Sequence, residues 1–91
     1  MEKQWKIMLK CINNAGKEGV MTGSLSKKTG KSYTLVHALC RQLLSMSLIT
    51  KEKLFLDDKK NPGLKRIIVI WRINENNRDL VNKYLNEMQD V

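Results

Sequence analysis

Residues 22–49 read TGSLSKKTGKSYTLVHALCRQLLSMSLI, two helical patterns on either side of a glycine. Thr22 is a good N-cap for the first, a short helix through Leu25 to Lys28, because a threonine hydroxyl can accept from a free backbone N–H. Gly30 tolerates the left-handed backbone that ends a helix, and Ser32, two residues on, can cap the next one. From there Val36, Leu39, Cys40, Leu43 and Leu44 recur at the i, i+3, i+4, i+7, i+8 spacing of one buried face. That period leaves Tyr33, Thr34, His37, Ala38 and Arg41 on the outer side of the N-terminal half. Hydrogen-bond donors, an aromatic ring and a small residue are what base edges and phosphates accept.

Working outward, Trp5, Met8, Leu9 and Ile12 give the same period and predict a first helix over about 2–14, with Lys3, Lys6 and Lys10 turned outward. Trp5, an aromatic on an apolar helical stripe, reads as a core residue. Residues 13–19, NNAGKEG, lose the period and are rich in turn formers. On the other side, residues 50–56 alternate as a strand, with Thr50, Glu52, Leu54 and Leu56 on one side and Lys51, Lys53 and Phe55 on the other. Residues 57–63, DDKKNPG, end in a Pro-Gly pair suited to the centre of a type II turn. The β-branched run of residues 64–73, LKRIIVIWRI, returns as a second strand. Ile67, Val69, Trp71 and Ile73 share one face, but Ile68 and Ile70 make the other face apolar too, which a partner subunit could cover. Asn74 and Glu75 start a last helix over 75–89, where Leu80, Val81, Tyr84, Leu85 and Met88 form one stripe.

The run Val36, Cys40, Leu43, Ser47, Leu48, Ile49 resembles the recognition helix and exit of winged helix-turn-helix regulators of the MarR, ArsR and PadR kind. In those families the helix typically ends in Gly-Leu-Ile; here Ser47 stands at the glycine position, so the helix end is less sharply specified. The resemblance implies an α+β, mainly helical fold. It consists of a three-helix core with a helix-turn-helix over 22–47, a β-hairpin wing over 50–73 and a C-terminal helix, all in one domain spanning 1–91. It also implies a short strand at Val20 and Met21 that pairs with the wing, and a dimer formed through the terminal helix, here Leu80, Val81, Tyr84, Leu85 and Met88.

Charge points the same way. The chain carries 17 Lys and Arg against 9 Asp and Glu, a formal +8, and eleven of those cations but only three of the acids fall between residues 22 and 73. A basic excess on a suspected DNA-reading unit favours a polyanionic partner. With 42% hydrophobic and 29% charged residues and no apolar run near the length of a membrane span, a soluble, cytoplasmic protein without membrane contact is expected. The N-terminal MEKQWKIMLK lacks the pattern of a secretory signal. Cys11, Cys40 and the single His37 have no metal-ligand spacing, and both thiols read as small core residues. Gly30-Lys31-Ser32 ends like a phosphate-binding loop, but that pattern needs a glycine where Leu25 stands and a preceding strand. Asp57 and Asp58 read as solvated loop charges. No metal, cofactor or enzymatic activity is expected.

The sequence therefore predicts sequence-selective binding of double-stranded DNA by a small homodimeric transcription regulator, with residues 32–47 in the major groove. Ser32, Tyr33, Thr34, His37, Ala38 and Arg41 would meet bases and nearby phosphates, and Lys27, Lys28 and Lys31 the backbone. Wing residues Lys59, Lys60, Lys65 and Arg66, within 57–66, would grip phosphate or enter the minor groove. The alternatives are a plasmid or viral replication, partition or architectural protein that coats DNA, and a winged helix used for protein contact through the apolar strand 67–71.

Overall fold

The computed structural model describes residues 3–87. In chain order the elements are α1 (Gln4–Asn14), β1 (Val20–Met21), α2 (Thr22–Thr29), α3 (Tyr33–Ser45), β2 (Ile49–Asp57), β3 (Lys65–Ile73) and α4 (Arg78–Glu87). The three strands form one antiparallel sheet in the order β1-β3-β2. This is the α+β, mainly helical winged-helix architecture. No helix among the described residues is long and apolar enough to cross a membrane.

One core joins every element. Met8, Leu9 and Ile12 of α1, Leu25 of α2, and Val36, Leu39, Cys40 and Leu43 of α3 are buried with Leu48, Ile49, Trp71, Ile73 and Val81. In β2 only Ile49 is buried, and in β3 only Trp71 and Ile73. The body of the protein thus ends about where the hairpin leaves the helices, and the outer half of the hairpin projects as a wing. Burial pushes the Cys40 thiol up to about 12, so it stays protonated, and Cys11 is half-buried; both are free.

Trp71 occupies the centre. Its ring is fully buried, and its Nε1–H donates to the hydroxyl of Thr22 at 2.9 Å. This corrects the expected role of Thr22. It lies inside the first turn of α2, makes no cap bond, and the residue at the N-cap is Met21. Its hydroxyl is instead committed to a partner 49 positions away, since a buried indole N–H needs an acceptor.

The first loop is shorter than its composition suggests. Asn13 and Asn14 complete α1, a single 3-10 turn follows at Gly16–Glu18, and Gly19 (φ +78°) turns the chain into β1. A Cβ at Gly19 would sit 2.6 Å from side-chain atoms of both Ile70 and Arg72, so only glycine lets the loop lie this close to β3. Val20 and Met21 then pair with Trp71 and Ile70. The loop and β1 lie against Ile70, covering part of the second apolar sheet face without any partner subunit.

Ser47 takes the left-handed conformation that favours glycine, φ +61°. Two bonds close the helix around it, Ser47 N to Leu44 O at 3.0 Å and Leu48 N to Leu43 O at 3.1 Å, while Leu43 and Leu48 are both buried. The amide side chains of Asn74 and Asn77 each donate to the Ser47 carbonyl at 3.0 Å. The end of α3 is therefore sharp, contrary to expectation, because residues from the start of the last helix hold it.

Asn74 caps a 3-10 turn at Glu75–Asn77, which runs into α4 at Arg78. Arg78 donates to Glu75, holding that carboxyl below its usual range, and to Asn13 Oδ1 at 2.8 Å. The α4 stripe turns inward: Val81 is fully buried, Leu80, Tyr84 and Leu85 are half-buried against the core, and the Trp5 and Tyr84 rings meet edge to face with centroids 5.4 Å apart. Val81, expected at a dimer interface, is thus enclosed within the protomer's own core. Met88 lies outside the described residues.

Two substitutions test these local claims by urea denaturation. Thr22→Val keeps the shape but leaves the Trp71 N–H unpaired, and is expected to cost about 1–3 kcal/mol. Ser47→Gly removes the left-handed strain and is expected to gain up to about 1 kcal/mol, the helix end being otherwise unchanged. A neutral Thr22→Val or a destabilising Ser47→Gly contradicts the respective account.

Candidate nucleic-acid interface

The turn between α2 and α3 is fixed by side chains as well as by Gly30 (φ +70°). Ser26 Oγ donates to the Lys31 carbonyl at 2.6 Å, Thr29 Oγ1 donates to the Leu25 carbonyl at 2.7 Å, and Lys31 N donates to Thr29 Oγ1 at 3.3 Å. Ser32 then caps α3, its hydroxyl accepting from Leu35 N at 3.2 Å. These polar residues set the angle between the two helices and hold the N-terminus of α3 at the surface. Lys27 and Lys28 are exposed in the last turn of α2, and Lys31 is half-buried in the turn.

Along α3 the five outward candidates divide into two rows. Thr34, Ala38 and Arg41 are all exposed, and at 3.6 residues per turn they lie opposite the buried Val36, Leu39, Cys40 and Leu43. Gln42 and Ser45 continue this row, and the helical period could have found them had the outer face been followed past Arg41. Tyr33 and His37 form the second row, on the flank toward the sheet. His37 is half-buried, its ring edge-on to Trp71 with centroids 5.9 Å apart, and Tyr33 is exposed and shares a shallow notch with Ile67 and Val69.

The wing approaches from that same flank. Lys51 lies opposite Trp71 in the sheet, with its Nζ 5.6 Å from the indole centroid. Lys53 follows on the same face, exposed. Neither stands out in the sequence as a contact residue; the signal lies in their alternation, which in the observed register gives them the face of Trp71. At the tip, Lys59, Lys60, Lys65 and Arg66 are all exposed. The loop has its own order: Leu64 N donates to Asn61 O at 3.0 Å across Pro62-Gly63, Asp58 N to Leu64 O at 3.0 Å, and Lys60 N to Asp58 Oδ1 at 2.9 Å. Gly63 has φ +95°, as a type II turn requires.

The fold thus brings together an exposed helix face, a capped helix N-terminus and two groups of cations, on α2 with its turn and on the wing. A helix of this width fits a major groove, and a hairpin beside it reaches the neighbouring backbone. The α4 residues Leu80, Tyr84 and Leu85 belong to a different part of the molecule, packed on α1.

Comparison with known proteins gives one family. The family described as the B-block binding subunit of TFIIIC matches residues 2–85 of the chain. No curated protein and no solved structure matches it. The family match accords with the winged helix and does not single out the MarR, ArsR or PadR regulators that the end of α3 resembles.

Proposed function

The chain belongs to the family described as the B-block binding subunit of TFIIIC, a winged-helix DNA-binding family, and from that premise we propose that it binds double-stranded DNA with sequence selectivity as a non-catalytic module in the cytoplasm or nucleus. The observation that carries the reading is the outer row Thr34, Ala38, Arg41 and Gln42 on α3, flanked by cations on two sides. Arg41 and Gln42 have the donor patterns that read guanine and adenine edges, and Ala38 leaves room for a thymine methyl group. His37, which packs against Trp71, and Ser32, which caps the helix start, would contact phosphate. Lys27, Lys28 and Lys31 grip the backbone on one side, and Lys59, Lys60, Lys65 and Arg66 on the other.

Regulation of transcription by a homodimer is the fuller form of this proposal. Among the described residues, the apolar surface that α4 would offer a second copy is the partly exposed edges of Leu80, Tyr84 and Leu85. A second reading, protein contact, is favoured by one observation: Met21, Leu54 and Leu56 are exposed on the outer sheet face, away from α3.

The test begins with duplexes selected by the protein from a random pool. Arg41→Ala is expected to narrow the affinity ratio between selected and random duplex about ten-fold or more, as a base-reading side chain supplies roughly 1–3 kcal/mol of discrimination. Lys59→Ala with Lys60→Ala should weaken both duplexes alike and reduce the salt slope by about 0.9 for each phosphate the wing no longer neutralises. An unchanged ratio for Arg41→Ala, with both affinities lowered together, would move the protein to the DNA-coating class. No binding to any duplex at low salt would favour protein contact.

A further inference from the structure

The wing carries a feature that phosphate gripping does not use. Phe55 stands directly opposite Ile67, on the sheet face where Trp71 is buried, and the two are 61% and 62% exposed. One row toward the body, Lys53 pairs with Val69, and one row toward the tip, Lys65 pairs with Asp57. An exposed lysine thus lies on either side of the apolar pair, each roughly 7 Å away by strand rise. Tyr33, 59% exposed, flanks Ile67 from the start of α3.

Single exposed apolar side chains are ordinary on a protein surface. A phenylalanine and an isoleucine matched across two strands, outside the core and between a Lys53–Val69 row and a Lys65–Asp57 row, are a different arrangement. They lie on the side of the hairpin that faces α3, not on the outer face with Leu54 and Leu56. Lys65 is offset by Asp57 opposite it, so the cationic excess beside the pair comes from Lys53 and, one row further toward the body, Lys51. That excess selects a polyanion as the occupant, and the apolar pair selects a part of it that is itself apolar.

Resting on the DNA-binding reading above, we infer that Phe55 and Ile67 form an apolar wedge, which enters the minor groove of bound duplex and partly unstacks one base step. With α3 in the major groove, the inner face of the wing meets the adjacent minor groove. Apolar side chains among cations are the means by which minor-groove proteins open a step and bend the helix. The steps that open at least cost are pyrimidine–purine steps, TA and CA/TG, so the wedge adds selectivity for deformable sequence where no base edge is hydrogen-bonded.

The experiment uses a fluorescein-labelled duplex with 2-aminopurine as the purine of a central TA step, anisotropy reporting binding and 2-aminopurine emission reporting unstacking in the same titration. Wild type should bind and raise the emission, since a wedged step loses stacking. Phe55→Leu should keep the rise, while Phe55→Ala and Ile67→Ala should bind and lose it, circular dichroism confirming the fold. Binding without a rise in wild type, or an undiminished rise in Phe55→Ala, overturns the wedge and leaves the DNA-binding reading standing. Absence of binding by wild type removes both. A dimer of the free protein that Phe55→Ala dissociates, seen by light scattering, would assign the patch to a second copy and overturn the wedge.

Discussion

The hydrogen bond from the Trp71 indole to the Thr22 hydroxyl is the contact on which the rest of the architecture depends. A tryptophan ring buries on the order of 150–250 Å², which corresponds to roughly 4–6 kcal/mol as an upper estimate, but only if its N–H finds an acceptor. Here the acceptor is the first residue of α2. The same ring receives the edge of His37 from α3 and the ammonium of Lys51 from β2. One side chain on the central strand therefore contacts both helices of the helix-turn-helix and the neighbouring wing strand.

That arrangement separates a fixed base from a projecting tip. Near Trp71 and Ile73 the hairpin is part of the core, whereas from Val69 outward no wing residue is fully buried. An isolated two-stranded hairpin is marginally stable in water. The outer wing relies on its ladder and on the ordered turn through Asp58, Asn61 and Leu64. Cations and apolar side chains there are free to meet a partner, while the base sets the wing's direction relative to α3. The polar staple of Ser26, Thr29 and Lys31 performs the corresponding task for α2, and the two asparagines on the Ser47 carbonyl for the far end of α3.

What can be read from the sequence is what local chemistry determines. The apolar period of α3, the Ser32 cap, the left-handed Gly30 and the Pro62-Gly63 turn each depend on neighbours within a few residues, and all are found. The short strand at Val20 and Met21, expected only from the resemblance, is there too. What cannot be read depends on distant partners. Thr22 has the chemistry of a cap, and nothing nearby in sequence says that an indole 49 positions on will claim its hydroxyl. Ser47 looks like a weak helix stop until Asn74 and Asn77 arrive. The α4 stripe looks uniform in the sequence, and only the packed fold separates Val81, which is fully buried, from Leu80, Tyr84 and Leu85, which are half-buried. On α3, helical period separates inside from outside but does not say which flank the sheet occupies, so it groups Tyr33 and His37 with Thr34 and Arg41.

In the proposed binding mode the outer face of α3 and the inner side of the wing form one DNA-binding surface. Its most direct test is an amide and methyl NMR titration of the isotopically labelled protein with short duplex DNA at low salt. The largest shift changes are expected in the turn at residues 28–32, along the outer face of α3 through Gln42, and at Phe55, Ile67 and the wing tip. Amides on the α1 side of α4 should hardly move. Changes centred on Met21, Leu54 and Leu56, with α3 silent, would contradict it.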